Sequence, residues 1–288
     1  MENKKYLMIH ADDAGLAWSE NLATQDGMIN GSISSTSLMV PCPWFYEMAK
    51  FCLKNKNLDY GIHLTLTGEW KNYPFKPCSK KEEVYSLINK DGYFHPKRNH
   101  ILQNADRNEV YIELKNQIDI AMSMGLNPSH LDSHMYTLGL REDFLEIYYK
   151  LGQEYKLPIL LSKKLISYAG VDPNSLNLPS SKFIENVFMG SYDEFIGNGL
   201  YKFYDNILDN LPYGLSIILI HPAYDSEEMR QITVDHPNFG ANWRHDDINY
   251  FKSESCKKKL DDNNIKPVSY THLRAHETRH DLVCRLLL

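Results

Sequence analysis

The stretch KYLMIHADDAGL, residues 5–16, carries a β-rich apolar run into two adjacent carboxylates, Asp12 and Asp13, and then a glycine. A short run of this kind that stops at polar residues just before a helical pattern reads as the first half of a β/α unit. Adjacent ionised carboxylates raise each other's pKa and cost stability. One explanation is that Asp simply suits the turn that closes a strand. The other is that a positive charge compensates the pair, and the rest of the chain has to decide.

Outward from this stretch the same alternation continues. Ser19 reads as the cap of a helix over ENLATQDGMING that ends at Gly31. STSLMV, LDYGIHLTL, SHLDSH, LPILLS, LSIILIHPAY and IKPVSY read as further strands. Between them lie helical patterns at residues 44–55, 109–125 (capped by Asn108), 142–155, 192–211 and 245–264. Residues 68–106 are polar, long for a connection and broken by Pro74, Pro77 and Gly92, which makes them a candidate lid; residues 163–193 read as irregular. The expected architecture is α/β, a mainly parallel sheet in a single domain over residues 1–270. The last 18 residues do not match the rest: all 23 Lys precede Thr271, whereas three of the eight Arg follow it. Residues 271–288 are therefore expected to be a tail outside the fold, dispensable for folding and activity, and His272, His276 and His280 are set aside as site residues.

Composition narrows the function classes. A net charge of -6, with no basic stripe, lacks the footprint of a nucleic-acid binder. No stretch approaches the roughly 20 apolar residues of a membrane span, and too few apolar residues precede His10 for a signal-peptide core. The expectation is a cytoplasmic protein with no nucleic-acid or membrane partner; its oligomeric state is left open, a homodimer included. Five cysteines without a C-x-x-C motif point to reduced thiols.

Polar clusters sit where strands end: Asp12 and Asp13, His63 in GIHLTLT, the HLDSH run at 130–134, and His221 in LIHPAY. The carboxyl ends of parallel strands gather on one face, so these residues can converge. On a strand His130 and His134 are about 13 Å apart and cannot share an ion; on a helix they could. Pro128 favours the strand, so His134 is the expected ligand, His130 a supporting residue, and His63 the best candidate for a further ligand. Of the two aspartates, one can coordinate a cation while the other faces its water, because successive side chains diverge. A cation would also offset the like-charge penalty of the pair.

The motifs HADDAG, GIHLTL, PSHLDSH and IHPAY, in this order, resemble the YdjC family of carbohydrate deacetylases, which includes the chitooligosaccharide deacetylases. The resemblance spans about residues 4–270. It implies a distorted (β/α) barrel, Asp13, His63 and His134 as metal ligands, Asp12 as catalytic base, and an N-acetylated sugar as substrate. The implied cofactor is a divalent metal ion, Mg2+ or Zn2+. The chain departs from the family at His10 and Ala14, where Asn and Phe are usual, and at MYTL after the D-S-H, where further histidines are usual. These departures bear on substrate preference. Hydrolysis of an amide needs an acid for the leaving amine, and His221 is the candidate, the alternative being a structural histidine. Two rival readings remain: a non-catalytic sugar-binding protein on the same fold, and a non-haem iron enzyme using the same two-His, one-carboxylate set.

Overall fold

The computed structural model describes residues 4–174 and 184–272. Among them are seven strands: β1 (Lys5–Ala14), β2 (Ser35–Leu38), β3 (Tyr60–Leu64), β4 (Leu131–Ser133), β5 (Asn186–Met189), β6 (Gly214–Ile220) and β7 (Ile265–Pro267). They run in the order β4-β3-β2-β1-β6-β5, with β7 also on β1, and every pairing is parallel. Strands buried on both faces read as continuous apolar runs, which is why LSIILI and YLMI were legible as strands. The ends of the sheet are linked by residues 158–161: the Leu160 N–H donates to Leu131 O (3.0 Å) and the Ile184 N–H to Leu161 O (2.8 Å). Isolated pairings therefore bridge the gap, giving a distorted barrel. Pro158, with no N–H, helps to keep LPILLS from becoming a full strand.

The helices are α1 (Trp18–Asn30), α2 (Phe45–Lys54), α3 (Arg98–Asn104), α4 (Arg107–Ser123), α5 (Glu142–Tyr155), α6 (Lys163–Tyr168), α7 (Tyr192–Gly197), α8 (Leu200–Asp209), α9 (Glu227–Ile232), α10 (Ala241–Lys252) and α11 (Glu254–Asp262). No described helix is long and apolar enough to cross a membrane. In β1, Leu7, Ile9 and Ala11 pack with Tyr204, Trp243 and Phe251 of α8 and α10. The strand period of two then points Met8, His10 and Asp12 to the opposite face. Parity along one strand thus separates the helix-packing residues from the polar ones.

Several elements differ from the sequence reading. The aspartates lie inside β1, which runs on to Ala14 through a break in register between Ala11 and Ala14. Ser19 is buried within α1 and makes no capping bond to it; Asp106, not Asn108, caps α4 by accepting from the N–H groups of Asn108 (2.8 Å) and Glu109 (3.2 Å). The helix expected over 192–211 is two, parted at Gly199, whose φ of 80° no side chain accepts easily; that over 245–264 breaks at Ser253. Residues 163–193 hold α6 and β5 rather than irregular chain. Thr271, expected to open the tail, donates through its backbone N–H (2.7 Å) and its hydroxyl to the buried Asp59. The rest of that expected tail, from 273, lies outside the described residues.

Candidate active site

The polar clusters lie at the carboxyl ends of β1, β3, β4 and β6, and their side chains meet in one cavity lined by Asp12, Asp13, His63, Asp132, His134 and His221. Asp13 has φ 63°, the left-handed conformation. Asp tolerates it better than most residues, at a cost of about 1–2 kcal/mol. Strand parity alone would turn Asp13 toward the helix-packing face; the bulged, left-handed backbone re-aims it toward the cavity. A second strained pair follows His134: Met135 and Tyr136 have φ 51° and 50°, turning the chain sharply after β4.

Asp13, His63 and His134 are all buried, and one potential ligand atom from each lies within 4.8 Å of the others. Asp13 Oδ1 is 3.4 Å from His63 Nε2 and 3.1 Å from His134 Nδ1. Its other oxygen, Oδ2, accepts from Arg244 Nη2 at 2.8 Å, so Oδ1 is the oxygen left for an ion. Burial opposes ionisation of Asp13, yet the charges of His134 and Arg244 hold its carboxyl well below the usual range. His63 Nδ1–H donates to Asp132 Oδ1 at 2.7 Å, which fixes the tautomer and leaves Nε2 facing Asp13. His134 Nε2 also meets Glu69 Oε2 at 3.0 Å. Against the opposing effect of burial, Glu69 and Asp13 raise the His134 pKa to about 9. A cation and that proton are alternative ways of balancing the same carboxylates. The donor set of one carboxylate and two imidazoles, oriented by a further carboxylate, fits a divalent metal. Two other groups, His10 with His130 and Asp132, and Asp12 with His63 and Asp132, also bring one ligand atom from each residue within 4.8 Å of the others. In both, however, Asp132 is already committed to His63 and His10.

Asp12 faces the cavity beside this set, with Oδ1 3.2 Å from His10 Nε2 and Oδ2 3.7 Å from His221 Nε2. The two aspartates of the pair therefore have separate surroundings. Burial, helped by the charges of Arg244 and His63, lowers the His221 pKa to about 4, so its ring is neutral near pH 7. Its Nδ1 is buried without a hydrogen-bond partner, while its backbone N–H is anchored on Asp247 Oδ2 at 2.9 Å. His130 lies behind the cavity lining, stacked on Tyr270 at 3.9 Å between ring centroids.

Sequence reasoning missed three partners. Asp132 stood only as a residue within the HLDSH run; its role needs the pairing of His63 with Asp132 across β3 and β4. His10 stood out only as a family departure, yet it donates to Asp132 Oδ2 at 2.8 Å. Arg244, one cation among many in a polar helix, gave no local signal. It is 1 % exposed and bridges Asp13 to Glu20 Oε1 at 2.7 Å.

The model of the YdjC-like protein family matches residues 6–262. A carbohydrate deacetylase of Thermoanaerobacter pseudethanolicus is 29 % identical over 276 residues, covering 94 % of this chain and 100 % of that protein. Another, of Thermus thermophilus, is 32 % identical over 239 residues, covering 80 % of this chain and 81 % of its own. In fold, a crystal structure from Enterococcus faecalis, described as a candidate cellobiose-phosphate cleavage protein, superposes with a TM-score of 0.74 at 24 % identity, covering 94 % of this chain and 99 % of that one.

Proposed function

The chain belongs to the YdjC-like family, and from that premise we propose that it is a metal-dependent carbohydrate deacetylase that hydrolyses the N-acetyl group of an amino sugar. The observation that carries this reading is the buried Asp13, His63 and His134 set with Asp12 beside it in one cavity. These three residues would hold a divalent ion, which when bound activates water and stabilises the charge that develops on the acetyl oxygen. Of the two metals expected, Zn2+ suits a pair of imidazoles better than Mg2+, which prefers oxygen ligands.

The other steps fall to the chain's own side chains. Asp12 accepts the proton of the attacking water at a carboxylate oxygen. Collapse of the tetrahedral intermediate requires a proton on the leaving nitrogen. His221 is neutral at rest, so it acts as an acid only after gaining a proton, and Asp12 Oδ2 at 3.7 Å is the group placed to supply it. Arg244 holds Asp13 in its re-aimed position throughout. The test is metal analysis of the purified protein followed by acetate release from a panel of N-acetylated mono- and oligosaccharides. Release that is lost on chelation and restored by one metal supports the proposal; no release from any member overturns it.

A further inference from the structure

We infer that Asp247 is a positioning residue for the acid of the leaving amine: it aims the His221 ring at Asp12 by gripping the His221 backbone. This rests on the deacetylase reading, in which His221 protonates the leaving nitrogen, and adds to it the group that orients that acid. A histidine that moves protons is ordinarily oriented by a hydrogen bond to its other ring nitrogen. His221 lacks that bond. Its Nδ1 is buried with no partner, while Nε2 lies 3.7 Å from Asp12 Oδ2. The ring packs on Phe239, at 4.7 Å between centroids, and packing of this kind fixes no ring nitrogen. Its direction is therefore set by the backbone that carries it.

That backbone is held at successive points. β6 pairs with β1 as far as Ile220 opposite Ala11. The next residue, His221, donates its N–H to Asp247 Oδ2 at 2.9 Å. Pro222 has a fixed φ and no N–H to give. The Ala223 N–H then donates to Arg244 O at 3.0 Å. Both acceptors belong to α10, one turn apart, so a single helix grips the end of β6 on either side of the proline. The same Arg244 clamps Asp13 through its side chain, which sets the acid and the candidate metal site in one frame. Asp247 is fully buried, and its other oxygen, Oδ1, accepts from Tyr204 Oη of α8 at 2.5 Å. With both oxygens taken, the carboxylate has little freedom to swing away from His221. Burial pushes its pKa up to about 7, so exchanging the charge for a neutral amide costs little. An amide in its place still accepts from the His221 N–H and donates to Tyr204 Oη.

The experiment compares variants with the wild-type holoenzyme on the N-acetylated sugar that it turns over fastest. Asp247→Leu keeps the branched shape and removes both acceptors; Asp247→Asn keeps the one His221 needs. Tyr204→Phe removes the other bond of the same carboxylate and leaves His221 held. A catalytic group moved by a distant substitution loses up to about 100-fold, so Asp247→Leu should lower kcat by ~10- to 100-fold with KM and bound metal unchanged. Asp247→Asn should restore most of that loss, and Tyr204→Phe should lose stability while kcat stays near the wild-type value. In a His221→Ala background Asp247→Leu should cost nothing more, because residues that act as one unit are not additive. An unchanged kcat in Asp247→Leu overturns the inference, as does an equal fall in Tyr204→Phe or a full further loss in the His221→Ala background. Should Asp247→Leu not fold, Asp247→Ala takes the same readings. Carbon-13 histidine spectra, with His221 assigned by its loss from His221→Ala, are read separately from turnover. If the wild type releases no acetate, the deacetylase reading fails. The positioning by Asp247 then stands if the His221 ring signal moves in Asp247→Leu and not in Asp247→Asn, and falls if it does not move.

Discussion

Asp12 and Asp13 are chemically the same group in adjacent positions, and their surroundings divide the work between them. Asp13 must give negative charge to an ion, so Asp13→Asn should lose both metal and turnover. Asp12 must accept a proton, which an amide cannot do, so Asp12→Asn should keep its metal and lose ~10²- to 10⁴-fold in kcat. Metal content and acetate release measured on the same samples check the split; equal loss of metal would make both aspartates ligands. Behind them, Arg244 donates to the buried Asp13 and Glu20 from the two ends of its guanidinium and pairs with the charge of Asp13. Arg244→Met would strand Asp13 and Glu20 in the core. Removing one partner of a buried ion pair costs about 3–5 kcal/mol, and urea unfolding should show a loss of that size.

Within elements, period-two and helical patterns are legible where packing repeats: β2 and β3, and α2, α4 and α5, fall within about two residues of where the sequence placed them, while β1 runs on past its expected end. The misses occur where one residue interrupts a pattern. Gly199 and Ser253 break helices whose apolar spacing continues past them, and β5 is a four-residue strand whose paired residues on β6 lie 30 positions away in sequence. Gly61 in β3 shows the opposite case, a small residue required by a distant neighbour. A Cβ there would sit 2.5 Å from the His130 ring, which cannot retreat because it stacks on Tyr270. Gly61→Ala should therefore cost about 1–3 kcal/mol by overpacking, read as a lower urea midpoint with an unchanged m-value.

Across the whole molecule, a buried polar chain ties four strands together. Asp59 accepts from Ser35 Oγ (2.6 Å), Ser35 Oγ pairs with His10 Nδ1 (2.9 Å), and His10 and His63 both donate to Asp132. Burial alone would lower the His10 pKa; Asp12 and Asp132 raise it to about 9. An unfolded His releases its proton near 6.5, so between 6.5 and 9 the folded state binds more protons than the unfolded one. The contribution of His10 to stability is thus complete below pH 6.5 and is lost as pH rises through 9. The stability difference between wild type and His10→Asn should shrink over that window by up to about 3 kcal/mol. Urea unfolding of both proteins at pH 6 and pH 9.5 measures it, and a difference that does not change with pH would refute the charge assigned to His10.

By itself the sequence determined the β/α alternation, the parallel sheet and the strand ends at which polar residues gather, because these follow from local hydrophobic period and turn chemistry. Only the tertiary structure decided how those residues act on one another. The left-handed backbone at Asp13, the clamp of Arg244 and the orientation of His63 by Asp132 each join groups that no local pattern connects. Such contacts depend on which strands lie side by side and how each side chain is turned. Periodicity along one chain carries no information on either.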